Sequence, residues 1–221
     1  MKSPDLSPSP PEIPPAAYAA VFADVLDSLG FRHQTLGRPI HPLTGATRIA
    51  GRVYPARAMT VSECPREPYA LEIAAVEAMK SGDVLVIDAQ DDQTCGFWGE
   101  LLTTACRHKG VAGVVMTACT RDAWKLKAMD FPVFGLGYHP ADSKGRAEVI
   151  AIGEPIAIAG VRAKTGDLIL GDEDGIVIIP SEVAGEALRL AAAKMSEENA
   201  VRAALVGGLP IGEAFRRFGV L

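Results

Sequence analysis

Two short stretches of this 221-residue chain combine residue types able to hold a small anion and a hard metal ion together: Gly99-Glu100-Leu101-Leu102 and Arg121-Asp122. The first reads as a helix start. Backbone N–H groups there lack intrahelical partners and carry positive partial charge, and a glycine lets a ligand approach the backbone. Arg121 can hold a carboxylate through two parallel hydrogen bonds. Asp122 offers a hard oxygen, and Mg²⁺ commonly takes only one or two protein carboxylates while keeping several waters. Taken singly, each stretch also reads as an ordinary helix N-terminus, with Glu100 and Asp122 favoured by the helix dipole. Their joint placement is what suggests a site.

That placement depends on the elements before them. Asp83-Val84-Leu85-Val86-Ile87-Asp88 and Gly113-Val114-Val115-Met116 are short apolar runs that read as buried strands. The spacing predicts a loop over 89–97 and a helix over 98–108 after the first. After the second it predicts a loop over 117–120 and a helix over 121–128. Lys109-Gly110 suits a helix C-terminus. If the strands are parallel, both loops open at one carboxyl edge of the sheet. Upstream, 16–29 has helical spacing, 31–47 reads as a loop, 50–61 as a strand region and 69–79 as a helix. Downstream, short strands near 131–134, 148–152, 156–159, 168–170 and 176–179 precede a long helix over 181–206 and an amphipathic tail. Asp172-Glu173-Asp174-Gly175 lacks a full twelve-residue calcium loop and reads as a hairpin turn. The order of elements predicts a mixed α/β fold with parallel and antiparallel parts.

Composition sets bounds. The chain suits one domain over 16–221, preceded by a Pro-rich arm over 1–15 that has no apolar signal core. A net charge of −5 with dispersed basic residues argues against nucleic-acid binding. No apolar run reaches a membrane span, so no membrane partner and a cytoplasmic location are expected. Cys64, Cys95, Cys106 and Cys119 show no zinc spacing and read as reduced thiols. Glu197 and Glu198 fall on the long last helix, where such a pair is usually a solvated face. Tyr138-His139 follows the 131–134 strand, either lining the same cleft or lying in a loop.

At these residues the sequence resembles the RraA-like family, which includes the class II 4-hydroxy-4-methyl-2-oxoglutarate aldolases. The resemblance runs from about residue 24 to 205. It is carried by Asp24-Val25-Leu26 with Gly30, the 82–88 run, Gly99-Glu100-Leu101-Leu102 and Arg121-Asp122 at the family's separation. Phe131-Pro132-Val133-Phe134, Gly166-Asp167 and the 172–180 segment complete it. The resemblance implies a β-rich α/β domain like the swivelling phosphohistidine domain, with mixed sheets and C-terminal helices, assembled as homotrimers or homohexamers. It implies substrate binding by the Gly99, Glu100, Leu101 and Leu102 backbone and by Arg121, with Mg²⁺ or Mn²⁺ on Asp122. A glutamate from the adjacent subunit completes the family's site; Glu198 is the best match here and Glu197 the fallback. The chain departs from the family at Thr117-Ala118, where Asp-Gly is usual, and at Leu136, where a basic residue tends to follow the strand.

The activity this implies is metal-dependent carbon–carbon bond cleavage in a 2-oxo acid, by retro-aldol reaction or decarboxylation, through a pyruvate-type enolate. Arg121 and Glu198 are the expected catalytic residues. Two alternatives stand beside it. One is a non-catalytic regulator that binds a ribonuclease. The other is a lyase or decarboxylase on an aromatic-degradation or sugar-acid intermediate contacted by Trp98, Tyr138 and His139.

Overall fold

The computed structural model describes residues 12–37 and 39–219. In chain order the elements are α1 (Ala19–Ser28), β1 (His41–Pro42), β2 (Ile49–Thr60), α2 (Ala70–Ala78), β3 (Asp83–Trp98), α3 (Glu100–Lys109), β4 (Gly113–Thr120) and α4 (Ala123–Ala128). There follow β5 (Val133–Gly135), β6 (Gly137–Tyr138), β7 (Ala147–Ile152), β8 (Ile156–Ile158), β9 (Val161–Ala163), β10 (Leu168–Gly171), β11 (Ile176–Ile179), α5 (Ala184–Val206) and α6 (Ile211–Phe218). The fold is mixed α/β, with one large curled sheet and C-terminal helices.

The large sheet runs β1-β5-β4-β3-β2-β10-β11, with β6 beside β4 and β7 beside β2. The strands β2, β3, β4 and β5 pair in parallel, while β1, β7, β10 and β11 join antiparallel. The central strands are apolar on both faces because both are covered. Along β3, Leu85 and Ile87 enter one core with Cys106 and Leu126 from α3 and α4. The alternate residues Val84 and Val86 enter a second core with Ile156, Ile158 and Val161 from β8 and β9. A third core holds Phe22 and Leu26 of α1, Leu170 and Val177 of the β10–β11 hairpin, and Ala187 and Ala191 of α5. The hairpin turn falls at 172–175, where Asp172 N–H donates to the Gly175 carbonyl at 3.0 Å.

Two expected loops are strand instead. The strand β3 continues through 89–98 and β4 through 117–120. Between the pairs Ile87↔Met116 and Trp98↔Thr120, β3 takes eleven steps against four on β4. The surplus is absorbed in irregularities, with Gln90 and Asp91 at φ 55° and 62°. The polar run Asp88 to Thr94 reads as a loop, yet strand pairing resumes beyond it. The Thr117 hydroxyl accepts the Ala89 N–H at 2.8 Å and donates to Asp88 at 3.3 Å, which ties the irregular part of β3 to β4. Both helices also begin later than expected, at Glu100 and Ala123. The expected loop over 31–47 contains the short strand β1. Residues 1–11 of the expected arm lie outside the described residues. Beyond them, Ile13 packs on the third core and the Pro14 carbonyl accepts from Arg48. Among the described residues no helix is long and apolar enough to cross a membrane.

Candidate functional site

The ends of β3 and β4 lie side by side, as the spacing predicts. The Arg121 N–H donates to the Trp98 carbonyl at 2.8 Å, so the two candidate stretches leave the sheet at the same edge. Gly99 is the extended N-cap of α3. Thr103 fastens this start: its hydroxyl donates to the Gly99 carbonyl at 3.0 Å and accepts from the Trp98 indole N–H at 2.8 Å. Trp98 is fully buried, which removes it from the expected substrate contacts.

Asp122 stands at the N-cap position of α4 in the left-handed region, φ 58°. Its side chain does not cap α4. It turns to the neighbouring helix, where Oδ2 accepts the Glu100 N–H at 3.1 Å. The Glu100 amide is therefore engaged, while the first-turn amides of Leu101 and Leu102 have no intrahelical carbonyl to meet. Glycine at 99 follows from this approach, because a Cβ there would come within 2.8 Å of Asp122 Oδ2 and 3.3 Å of the Arg121 side chain.

Arg121 lies between two carboxylates. Its Nε is 3.9 Å from Asp122 Oδ2 and its Nη1 is 3.3 Å from Asp142 Oδ1. The Tyr69 hydroxyl donates to Asp142 Oδ2 at 2.7 Å. Burial works against charge on Asp142; the Tyr69 hydroxyl, Arg121 and the Lys144 and Ser143 amides outweigh it and hold the carboxyl below its usual range. Deeper on α2, Glu72 is only 4% exposed. Burial first, then the Asp142 charge, push its carboxyl up to about 8 against the opposing pull of Arg121.

An open hollow of about 230 Å³ is lined by Thr120, Arg121, Asp122, Tyr138, His139 and Pro140. Tyr138 and His139 thus line the cleft, rather than merely lying in a loop. His139 is fixed by its N–H to the Thr120 carbonyl at 2.9 Å, and its Nδ1 accepts from the Ala141 N–H at 3.2 Å. Thr117 and Ala118, where the resemblance leads one to look for acid, are buried inside β4.

Glu198 lies elsewhere in the chain. It sits on α5, which packs on α1, and lines a separate hollow of about 440 Å³ with Tyr18, Asn199 and Arg202. The Tyr18 hydroxyl donates to Glu198, and Lys194 Nζ is 3.9 Å from its other oxygen. Glu197 is exposed.

Sequence reasoning missed Tyr69, Glu72 and Asp142. For Glu72 a signal exists: it precedes Ala75, Val76 and Met79 at the spacing of one buried helix face, where a lone carboxyl is out of place. Asp142 and Tyr69 carry no comparable signal, since their partner is made only by the fold.

A divalent cation fits Asp122 by chemistry. The carboxylate is 38% exposed, only its Oδ2 is drawn to the α3 amide, and it opens on a hollow with room for waters and a ligand. Among the described residues no group of three or more His, Cys, Asp or Glu side chains could hold a metal ion. A divalent cation here would rest on the single Asp122 carboxylate and on waters rather than on a closed cage of side chains.

Comparison with known proteins places this geometry in context. The profile of the RraA-like family, described as Aldolase/RraA, matches residues 19–178. A Halalkalibacterium halodurans protein named "Putative 4-hydroxy-4-methyl-2-oxoglutarate aldolase" is 35% identical over 179 residues, 81% of this chain and 80% of that protein. Protein DlpA of Legionella pneumophila is 28% identical over 200 residues, 89% of this chain; the chain spans only 31% of DlpA. Among solved structures, Streptomyces coelicolor RraAS2, described as an unusual member of the RNase ES inhibitor RraA protein family, superposes with a TM-score of 0.75 at 29% identity, covering 84% of this chain and 92% of that one. A Pseudomonas syringae protein superposes with a TM-score of 0.79 at 25% identity, covering 90% and 92%.

Proposed function

This chain belongs to the RraA-like family, and from that premise we propose that it is a divalent-metal-dependent carbon–carbon lyase acting on a 2-oxo acid, by retro-aldol cleavage or decarboxylation. One observation carries the reading. A guanidinium, a hard carboxylate and the N-terminus of α3 converge within a few ångströms at one sheet edge, through the Arg121–Asp122 and Asp122–Glu100 contacts. The aldolase names among relatives support the reaction class.

Asp122 would hold Mg²⁺ or Mn²⁺, which when bound polarises the 2-oxo carbonyl and so favours the enolate left by bond cleavage. The chain's residues supply the rest. Arg121 pairs with the substrate carboxylate, and the first-turn amides of Leu101 and Leu102, beside Gly99 and Glu100, face negative charge as it develops. Tyr138 and His139 wall the hollow. A retro-aldol step also needs a base for the hydroxyl proton. A water positioned by Glu198 of a second copy of the chain takes that role; within its own chain Glu198 lines a different hollow from Arg121 and Asp122. Leu101 and Trp124, in the first turns of α3 and α4, are each 77% exposed, which supports a neighbouring subunit covering this edge in a homotrimer or homohexamer. Decarboxylation reaches the same enolate without that base.

The experiment is pyruvate release from 4-hydroxy-4-methyl-2-oxoglutarate and from oxaloacetate, each with Mg²⁺ and with EDTA. Metal-dependent release from either supports a lyase. Release from oxaloacetate alone assigns decarboxylation without the base. The likeness to RraAS2 favours a second reading, a regulator that binds a ribonuclease. Stoichiometric capture of a ribonuclease with no turnover on either substrate would select it.

A further inference from the structure

The mechanism above leaves three residues unused: Tyr69, Glu72 and Asp142. Asp142 pairs with Arg121, Tyr69 donates to Asp142, and Glu72 lies one turn further along the helix that Tyr69 caps. Tyr69 is the left-handed N-cap of α2, φ 65°. Asp142 lies between β6 and β7, in a segment fastened to β3 by the Gly96 N–H, which donates to the Ala141 carbonyl at 2.8 Å. Both Asp142 oxygens are engaged, one by Arg121 Nη1 at 3.3 Å and the other by the Tyr69 hydroxyl at 2.7 Å. Glu72 follows Tyr69 by three residues, on the same side of the helix. It is almost completely buried, and its Oε1 has no hydrogen-bond partner among the described residues. A buried carboxyl with an unpaired oxygen costs free energy that a leucine in its place would not. Packing therefore gives no reason for an acid at this position.

We infer that Tyr69 and Asp142 form a bracket that aims the Arg121 guanidinium at its anionic ligand, with Asp142 as the positioning residue and the buried, unpaired Glu72 carboxyl as a second acid that modulates it. The inference rests on Arg121 receiving the substrate carboxylate. A guanidinium presents a rigid fork of five N–H donors on a flexible stem. Fixing Nη1 on Asp142 removes the rotation of that stem and leaves the remaining N–H groups directed as a set. The bracket works only while it carries one negative charge. Burial and the Asp142 charge raise the Glu72 carboxyl to about 8, which favours its neutral form at neutral pH and leaves Arg121 its attraction for an anion. Once Glu72 ionises, a second fixed carboxylate competes with the ligand for the same cation.

The groups facing Glu72 are few. Asp142 and Arg121 act on it from the β6–β7 segment and the end of β4, and Tyr69 shares its helix. From the elements packed on α2, β7 turns Ala147 and Val149 inward, which directs Glu148 to the opposite face. Lys109 of α3 donates to the Glu77 carbonyl, at the far end of α2.

The test is calorimetric binding of oxalate, a planar dianion resembling an enolate of a 2-oxo acid, to the full chain with Mg²⁺ between pH 7 and 9.5. Wild type is expected to lose affinity about tenfold across that range, the scale of one charged contact. Glu72→Gln is expected to flatten the profile. Asp142→Asn and Tyr69→Phe are each expected to weaken binding at pH 7 by about tenfold, with circular dichroism unchanged. Asp142→Asn and Tyr69→Phe proteins that bind like wild type would overturn the positioning role. Identical pH profiles for wild type and Glu72→Gln would overturn the role of Glu72. Oxalate binding that survives Arg121→Met would remove the premise itself. Because the readout is binding, a lack of turnover with this pattern intact counts against the lyase reading alone.

Discussion

The Asp122 carboxylate caps a helix that is not its own: it accepts the Glu100 N–H at 3.1 Å, across from the strand it follows to the helix that follows the neighbouring strand. The proposed metal ligand and the proposed anion cradle are thereby one hydrogen-bonded unit. Charge on Asp122 stabilises the N-terminus of α3, and α3 in turn orients Asp122.

Asp122→Asn is expected to separate the two roles. Asparagine tolerates the left-handed backbone at 122, and its amide oxygen still accepts from Glu100. The negative charge is lost. Loss of outer partners alone costs about 10- to 100-fold in metal affinity, so loss of a direct ligand should cost about 100-fold or more. Mn²⁺ titration followed by electron paramagnetic resonance measures this, with Tm expected to move little. Lost activity with unchanged Mn²⁺ affinity would contradict the ligand role.

Gly99→Ala is expected to damage the site while leaving the cores intact. The added methyl meets Asp122 Oδ2 at 2.8 Å and the Arg121 side chain at 3.3 Å, and neither can retreat without abandoning its partners. Overpacking of this kind costs about 1–3 kcal/mol where it falls in a core. Here a half-exposed pair moves instead, so turnover should fall far more than Tm. Parallel measurement of kcat/KM and Tm decides between the two.

The four cysteines are expected to behave as one reactive thiol and three inert ones. Cys64 is exposed; Cys95, Cys106 and Cys119 are buried. Burial pushes the Cys95 and Cys106 thiols up to about 12, with the Asp92 charge adding to the effect at Cys95. Titration of the native protein with a thiol reagent at pH 8 should release one equivalent quickly and the rest only on denaturation. Pyruvate release should survive modification of Cys64.

Glu72 predicts how stability varies with pH. Its carboxyl is raised to about 8 in the folded chain from an ordinary value of 4.5. Between those values the folded protein keeps a proton that the unfolded chain releases, so stability falls as pH rises through that window and levels off above about 8. From pH 5.5 to 8.5 the Glu72 contribution is on the order of 3 kcal/mol. Denaturation of wild type and Glu72→Gln at both values is the measurement. The variant should gain on wild type by several degrees in Tm at pH 8.5 relative to pH 5.5.

Much of this protein was legible in its order of residues. Continuous apolar runs at 83–88 and 113–116 marked the central parallel strands, and a glycine before Glu100 and an Arg-Asp pair marked the edge where both leave the sheet. Those signals are local, because strand faces and helix ends are written within a few residues of themselves. What only the tertiary structure decided is non-local. The polar stretch of β3 became strand because β4 and the segment around Asp142 supply its partners. Asp122 left its own helix for α3 because parallel pairing brings the two helix starts together. Arg121 meets Asp142, and Asp142 meets Tyr69, only because folding brings these separate parts of the chain together. Local propensity sets which elements form; the long-range pairing of strands sets which charges must share one hollow.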